Sequence, residues 1–355
     1  GVDSSLITAM AARSMNQVKT FTASFPGYKK YDESIHANLI ASHFSTKHTQ
    51  LEIDIDMVEP DILITLARQF DEPICDSSMI PTYLVSKLVK QYCTVALGGD
   101  GGDELFGGYS HYSRLLWAEK KSKIIPKTIK KAMSIISRNH LPTGLKGRNW
   151  LQALSLDFDK ELPQIATHFN SNERTQLMSK CPNMLKSILK KDIWRDRTPD
   201  IKNLLQQATM MDFNNYMVED ILVKIDRASM LNSLELRSPL LDHKIIDFAF
   251  SRTPMHLKAT QNDRKIILKN LAKNILPNSF DMTRKQGFEI PLGEWIKKGK
   301  FKDFFYDILL NSDCIFDSSM VLSLLKGHEK GRNNTERLFS LVMFELWRRE
   351  YSIRM

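Results

Sequence analysis

Six of the chain's 15 glycines and three carboxylates stand in one short segment, residues 97–109, which reads LGGDGGDELFGGY. The segment follows the apolar run Thr94–Leu97, and such a run ending in glycines is typical of a buried strand that opens into a tight loop. Glycines let the backbone approach a ligand closely, and carboxylates suit Mg²⁺, which prefers oxygen ligands and accompanies phosphates. The segment predicts a magnesium and phosphate loop, with a glycine-rich turn bearing solvated acids as the alternative.

The first five residues, Gly1-Val2-Asp3-Ser4-Ser5, form a second segment suited to anions. Apolar residues at helical spacing follow it, so a helix is predicted here, with the aspartate and the serines as candidate caps. Those apolar residues are Ile7, Met10, Ala11, Met15 and Val18. Free N–H groups and the helix dipole at such a start favour an anion. Taken alone, the segment is equally typical of an ordinary helix cap.

Together the two segments resemble the ATP pyrophosphatases, and within them the synthetase half of the asparagine synthetases. The start of the chain is similar to the end of the S-G-G-x-D-S-S pyrophosphate loop, and residues 97–109 resemble the second active-site loop. Three further blocks fit the family in the same order: Asp71–Pro73 with Asp76–Tyr83, Val223–Met230 with Leu236–Asp242, and Arg284–Phe288 with Pro291 and Trp295. The resemblance covers the chain from its first residue to about residue 295.

The resemblance implies an α/β fold, with a doubly wound parallel sheet of the adenine-nucleotide alpha-hydrolase-like type and a large helical C-terminal portion. We expect the PP-loop ATP pyrophosphatase core over residues 1–120 and a mostly helical portion over 121–355 that returns to the active site. In this fold a strand precedes the pyrophosphate loop. Because no residue before Gly1 supplies it here, either the strand is cut away or disordered, or another segment fills its place.

The sequence pattern agrees with this fold, because strands and helices alternate over the first hundred residues and helices dominate after Tyr109. Strands are predicted at Thr20–Phe25, at Leu51, Ile53 and Ile55, and at 94–97. Helices are predicted at 57–70, 79–92, 204–230, 240–250, 263–275 and 321–350, together with one that carries Ile35, Leu39, Ile40 and Phe44 on one face. Residues 139–149 are predicted to form a loop.

The family's reaction implies particular ligand positions. ATP activates the carboxylate of aspartate as an acyl-adenylate with release of pyrophosphate, and ammonia then displaces AMP. Asp3 and Asp103 match the family's magnesium carboxylates, although an aspartate at position 3 also fits a helix cap. The positions implied to hold ATP are Gly1, Ser4, Ser5, Ala23, Gly98 and Gly99.

Two further residues match catalytic positions of the family. Asp100 stands where the best-known asparagine synthetases carry Glu, the group thought to take a proton from ammonia. Because Asp is one methylene shorter, its reach differs by about 1.5 Å, and it acts either as the general base or as a positioning group. Lys285 matches a lysine that reaches phosphate, where a compact ammonium suits developing charge. An ordinary surface lysine is the alternative, and Arg284 is a weaker candidate.

Composition excludes several classes of protein. The cysteines are widely spaced, which argues against a disulfide framework and a zinc ribbon; they are Cys75, Cys93, Cys181 and Cys314. No apolar run approaches the roughly 18 residues that span a bilayer, so we expect no membrane partner and a cytoplasmic location. The formal net charge of +9 lies largely within residues 119–131. Since no aromatic residues for base stacking interleave with these lysines, a solvated helix is favoured over a nucleic-acid surface.

Glutamine-dependent members of the family carry an N-terminal glutaminase domain, which is absent from these 355 residues. We therefore expect the chain to be part of a longer protein with that domain, and by itself to use free ammonia with aspartate. A homodimer is possible. The alternatives are a related enzyme acting on another carboxylate, such as a cell-envelope sugar acid or a peptide, and a non-catalytic nucleotide-binding module.

Overall fold

The computed structural model describes residues 1–28, 32–54, 57–141, 145–158, 168–181, 193–284, 287 and 290–354. In these ranges the chain is mixed α/β, with short parallel strands among many helices. The strands are β1 (Lys19–Ser24), β2 (Lys47–Glu52), β3 (Val95–Leu97) and β4 (Glu235–Arg237).

The α-helices of the first half are α1 (Val2–Ser14), α2 (Ser34–His43), α3 (Asp61–Gln69), α4 (Met79–Val89), α5 (Gly102–Phe106), α6 (Ser110–Ser122), α7 (Lys127–Ile135), α8 (Arg148–Ser155) and α9 (Ser171–Leu177). Those of the second half are α10 (Ile193–Asp196), α11 (Leu204–Asp212), α12 (Leu222–Met230), α13 (His243–Asp247), α14 (Met255–Lys258), α15 (Ile266–Lys273), α16 (Leu292–Trp295), α17 (Lys300–Leu309), α18 (Ser318–Glu329) and α19 (Thr335–Glu350). Among the described residues, three π-helical segments lie at Ile136–His140, Phe213–Ile221 and Phe248–Arg252, and a 3₁₀ turn lies at Pro239–Leu241.

The helices and strands group into two compact units that alternate along the sequence. Unit 1 comprises residues 1–58, 78–109 and 216–290. Unit 2 comprises residues 59–77, 110–215 and 291–355. The division of the fold near residue 120 stays a prediction.

Unit 1 contains two separate pairs of parallel strands. β1 pairs with β2, with Ala23 opposite Leu51, and β3 pairs with β4, with Ala96 opposite Leu236. Both pairs contribute to one apolar cluster centred on Leu51, Val89 and Leu234. Within the described residues these strands form two small parallel sheets, and no described strand joins β1 to β3, so the single doubly wound sheet stays a prediction.

Helix α1 corrects the predicted side-chain cap. It begins at Val2 with Gly1 as its N-cap, so Asp3, Ser4 and Ser5 lie inside its first turns and none caps it with its side chain. Its buried residues are Val2, Ser5, Leu6 and Ala9, whereas Met10 and Met15 are exposed. The helical period was predicted, but the buried face was not, because apolar residues occur on both faces of α1.

Other boundaries differ from the predicted ones for identifiable reasons. β2 ends at Glu52, before Ile53, and Ile55 lies outside the described residues. The predicted helix at 321–350 is two helices, with Gly331 between them at a φ of +86° that favours glycine. The predicted helix at 263–275 begins only at Ile266, because Lys265 has a φ of +54°.

Unit 2 is helical in its described part. α19 packs against α3, α17 and α18, and its buried side chains Leu338 and Phe339 contribute to the core of the unit. Burying an aliphatic or aromatic side chain of this size contributes about 1.5–3 kcal/mol. None of the helices that the structure describes is both long enough and apolar enough to cross a membrane.

Candidate active site

The glycine-rich loop after β3 lies against the start of α1. The amide of Gly98 donates to the carbonyl of Arg237 at 2.8 Å, which extends the β3–β4 pairing into the loop. A Cβ on Gly99 would lie 3.0 Å from both the Cβ of Asp3 and the amide nitrogen of Ser4. Only glycine allows so close an approach of backbone to a helix start. The two segments singled out in the sequence therefore meet in unit 1.

One ammonium group joins the two aspartates predicted to bind metal. The Nζ of Lys265 lies 2.8 Å from Oδ1 of Asp103 and also pairs with Oδ2 of Asp3. The Lys265 side chain is 11% exposed. Burial alone would lower the pKa of Lys265, but the adjacent carboxylates of Asp3 and Asp103 outweigh it and raise that pKa. The lysine is therefore charged at neutral pH, and it keeps the two carboxylates together.

The same cluster offers a free oxygen that fits a magnesium ion. In the described part of the chain, the buried Oδ1 of Asp3 accepts no hydrogen bond. A Cβ on Gly102 would lie 2.8 Å from that oxygen, so the glycine keeps the space beside it open. Two carboxylates with an unsatisfied oxygen suit Mg²⁺, which takes one or two protein carboxylates together with phosphate oxygens and water. No group of three or more His, Cys, Asp or Glu side chains suited to a metal occurs in the described ranges.

Asp100 lies in a different environment on the same loop. Ser238 Oγ donates to its Oδ2 at 3.4 Å. Burial raises the pKa of the Asp100 carboxyl, and this effect outweighs the opposing influence of the Lys224 charge and of the hydrogen bond from Ser238. A carboxylate that binds its proton more tightly is a better base near neutral pH. The environment of Asp100 thus suits proton transfer, whereas that of Asp3 suits binding of a cation.

The charge of Lys224 acts on Asp100 and opposes the rise of its pKa. Lys224 lies on α12 and is buried, and its Nζ donates to Ser78 Oγ at 2.8 Å. Ser78 belongs to the block after Cys75 that resembles the family, and Lys224 to the block at 223–230. Both residues stand in sequence blocks that resemble the family. The blocks therefore marked these positions, although the sequence alone did not predict a role for either side chain.

Half of the six residues predicted to hold nucleotide lie at the start of α1. Gly1, Ser4 and Ser5 line a cavity of about 110 Å³ together with residues 20–22 of β1. Ala23 lies within β1, directly after these cavity-lining residues, and Gly98 and Gly99 lie on the loop that contacts α1. Their contacts with ATP stay predictions. Thr20 hydrogen-bonds His48 Nδ1 at 2.9 Å at this cavity, which gives it a polar wall.

Tyr109 anchors the far end of the loop. Its hydroxyl donates to the carboxylate of Glu104, a residue only 1% exposed, and its ring lies 6.0 Å from that of Tyr216. Burial and the neighbouring Glu104 charge raise the pKa of Tyr109 well above its usual value. The phenol therefore stays protonated and keeps donating, which fixes α5 and with it Asp103.

Lys285 and Arg284 were predicted for the site, whereas Lys265 was not. Lys285 lies outside the described residues. Its neighbour Arg284 donates from Nη2 to the carbonyl of Asp32 at 3.0 Å, a contact that suits a structural role. Lys265 was missed, because one lysine among 50 lysines and arginines carries no local signal that marks it as the partner of Asp3.

Comparison with known proteins adds an independent finding. A family model described as asparagine synthase matches residues 1–349. The chain is 29% identical, over 98% of its length, to asparagine synthetase (glutamine-hydrolysing) 1 of Bacillus subtilis strain 168. It shows the same identity and coverage with a Mycobacterium tuberculosis protein that is provisionally named a glutamine-hydrolysing asparagine synthetase.

A third relative, asparagine synthetase (glutamine-hydrolysing) 3 of Bacillus subtilis, is 22% identical over 84% of the chain. The matches cover 54%, 53% and 46% of these three relatives, respectively. The chain therefore spans about half the length of the curated relatives it matches.

Proposed function

This chain belongs to the asparagine synthase family, and from that premise we propose that it catalyses the synthetase half of asparagine formation. Aspartate, ATP and ammonia would give asparagine, AMP and pyrophosphate. One observation carries the proposal: Asp3 and Asp103, from two distant segments, pair with the same ammonium beside the contact of the glycine loop with α1. Paired carboxylates next to a helix start are suited to a magnesium-bound pyrophosphate group.

The proposed chemistry has two steps. An oxygen of the aspartate side-chain carboxylate attacks the α-phosphorus of ATP, and the bond from that phosphorus to pyrophosphate breaks. The nitrogen of ammonia then attacks the acyl carbon, the bond to AMP breaks, and nitrogen loses a proton. Asp100 would accept this proton, in line with its raised pKa.

Other residues of the chain would bind and orient ATP. The start of α1, with Gly1, Ser4 and Ser5, would hold phosphate oxygens, and Ala23, Gly98 and Gly99 would contact the nucleotide. Asp3 and Asp103 would hold Mg²⁺, which when bound offsets the negative charge of pyrophosphate. Lys285 is proposed to reach the departing phosphate. Holding both reactants in one geometry supplies much of the rate enhancement in reactions of this kind.

The source of ammonia is part of the proposal. The relatives are named as glutamine-hydrolysing enzymes. We therefore propose that the full-length protein obtains ammonia from an N-terminal glutaminase domain, and that the 355-residue chain uses free ammonia. The homodimer and the cytoplasmic location stay predictions.

Pyrophosphate release from ATP in the presence of Mg²⁺ and ammonia tests this function. Aspartate should stimulate release, and Asp103→Ala should abolish both the stimulation and the binding of Mg–ATP. Asp307→Ala, which removes an exposed aspartate from α17 of unit 2, is the matched control and should behave as the wild type. Stimulation by a sugar acid or a peptide but not by aspartate would favour the related enzyme. A wild-type chain that does not bind Mg–ATP would favour the non-catalytic module.

A further inference from the structure

We propose that Lys265 is an internal counter-ion of the magnesium site, and that it makes metal binding by Asp3 and Asp103 depend on bound pyrophosphate. Lys265 acts here as a positioning residue, through the two carboxylates. The inference rests on the proposed function, because it takes these carboxylates as the metal ligands. It describes how Lys265 holds the two carboxylates together and how this affects metal binding.

The charge balance of the cluster supports this role of Lys265. The side chains of Asp3, Asp103 and Lys265 are 18%, 24% and 11% exposed, so all three charges are largely withdrawn from water. Two carboxylates withdrawn together would repel each other and lack hydration. The ammonium, 2.8 Å from Asp103 and paired with Asp3, offsets one of the two negative charges. The site is thereby stable before any ligand arrives.

The surrounding backbone also fits Lys265 into this position. Its φ of +54° lies in the left-handed region, which side chains disfavour and which persists only where the surroundings require it. A Cβ on Gly108 would lie 1.8 Å from Oδ1 of Asp103 and 2.0 Å from Cε of Lys265. The glycine at position 108 is thus required for the lysine and the aspartate to meet.

The consequence concerns a divalent ion that arrives alone. Such an ion would stand beside an ammonium that already occupies the same two carboxylates, so its binding is opposed by charge repulsion. Pyrophosphate changes this, because its oxygens accept hydrogen bonds from the displaced ammonium and also coordinate the metal. Metal and pyrophosphate should therefore enter together. By thermodynamic linkage, each must tighten the other by the same factor.

Binding of Mn²⁺, followed by electron paramagnetic resonance on the 355-residue chain, tests this coupling without measuring activity. Mn²⁺ is added alone or with equimolar pyrophosphate, and matched solutions without protein correct for its chelation. We expect pyrophosphate to tighten Mn²⁺ binding to the wild type by about tenfold or more. Lys265→Met keeps the length of the side chain but removes its charge. It should tighten Mn²⁺ alone by about tenfold, and so shrink the effect of pyrophosphate.

Lys269→Met is the matched control, because Lys269 lies on α15 and pairs with Asp263 outside the site. It should keep the wild-type effect of pyrophosphate. Equal Mn²⁺ binding by the wild type with and without pyrophosphate would overturn the inference, whether or not any variant folds. A folded Lys265→Met chain that binds Mn²⁺ alone no more tightly than the wild type would also overturn it. If the wild type binds Mn²⁺ in neither condition, the proposed function itself fails and the inference falls with it.

Discussion

Asp3 in unit 1 and Glu345 in unit 2 are both carboxylates shielded from solvent, but their oxygens are satisfied to different extents. Oε1 of Glu345 accepts from the amide of Ile315 at 3.1 Å, and its Oε2 accepts from Nη2 of Arg348 at 2.9 Å. Oδ2 of Asp3 pairs with Lys265, whereas its buried Oδ1 accepts no hydrogen bond in the described part of the chain.

This difference distinguishes Glu345, whose charge has a structural role, from Asp3, whose charge has a proposed role in binding. Glu345 and Arg348 lie three residues apart on α19, so one helix supplies both partners of a satisfied pair. Asp3 meets a lysine 262 residues away, and the cluster leaves one acceptor open. A buried polar network that is fully satisfied contributes rigidity, whereas an unsatisfied buried oxygen calls for a ligand or a water. The same amide substitution at each carboxylate should therefore have opposite consequences.

Asp3→Asn should give the largest effect, on the reaction. The amide keeps the shape of the side chain but loses the charge that would hold a cation at pyrophosphate, so kcat/KM should fall by about 1,000-fold. Thermal unfolding should shift little, because Lys265 keeps Asp103 as a partner. Steady-state pyrophosphate release and calorimetric unfolding measure the two quantities. Near-normal activity would place Asp3 outside the reaction.

Glu345→Gln should reverse that pattern. Removing the charge of the fully buried Glu345 leaves the partly buried Arg348 facing a neutral amide, which should lower the free energy of unfolding by about 3 kcal/mol. Denaturant titration measures this loss. Activity per folded molecule should stay within about twofold of the wild type, as Glu345 takes no part in the proposed chemistry. Loss of activity with unchanged stability would contradict the structural role of this pair.

Lys258 extends the comparison to a buried cation of unit 1. Its side chain is fully buried, its Nζ has no hydrogen-bond partner in the described residues, and it lies 4.5 Å from the centroid of Phe250. Burial lowers the pKa of Lys258 from 10.5 to about 8. Lys258→Met, which keeps the volume and removes the buried amine, should raise the free energy of unfolding at pH 7 by about 2 kcal/mol.

The lowered pKa of Lys258 also determines how the stability of the wild type should change with pH. Below pH 8 the amine is protonated in both states, and the full unfavourable effect of burying the charge is present. Between pH 8 and 10.5 only the unfolded chain holds the proton, so wild-type stability should rise with pH over that window. The advantage of Lys258→Met should narrow over the same range. Lys244→Met, at an exposed site of α13, should leave the wild-type pH curve unchanged.

Asp100→Glu should have the smallest effect. The carboxylate moves by about one bond length, 1.5 Å, and Glu is the residue expected at this position in the best-known relatives. We expect kcat/KM within about tenfold of the wild type, whereas Asp100→Asn should lose about 100-fold or more. Activity should fall as pH drops through the raised pKa of Asp100, because protonation removes the base. If Asp100→Asn were as active as Asp100→Glu, Asp100 would not be the general base and would act only as a positioning group.

The sequence predicted those parts of the site that stand in short motifs at the ends of strands and helices. The segments at 1–5 and 97–109 were expected to bind one ligand, and the structure brings Asp3 and Gly99 into contact. It also predicted β1 to within one residue at each end. Local patterns suffice here because the glycines and carboxylates that define the motifs also determine the local backbone.

The remaining parts depend on contacts that no local pattern encodes. Lys265 is recognisable only once α15 lies beside α1 and α5. β4 has just three residues, Glu235 to Arg237, which is too short to show the alternation of a strand. The sequence pattern did not predict the buried face of α1, because both faces carry apolar residues and only packing selects between them.

The long sequence separation within the charged cluster also bears on how the chain folds. Asp3 and Lys265 stand 262 residues apart, so their meeting closes most of the chain into a loop. Contacts of such high contact order form late, since the entropy of loop closure must be overcome before they stabilise anything. During synthesis, Asp3 leaves the ribosome long before its partner exists. The pairing of Asp3 with Lys265, and any ligand binding that depends on it, should therefore follow helix formation during refolding.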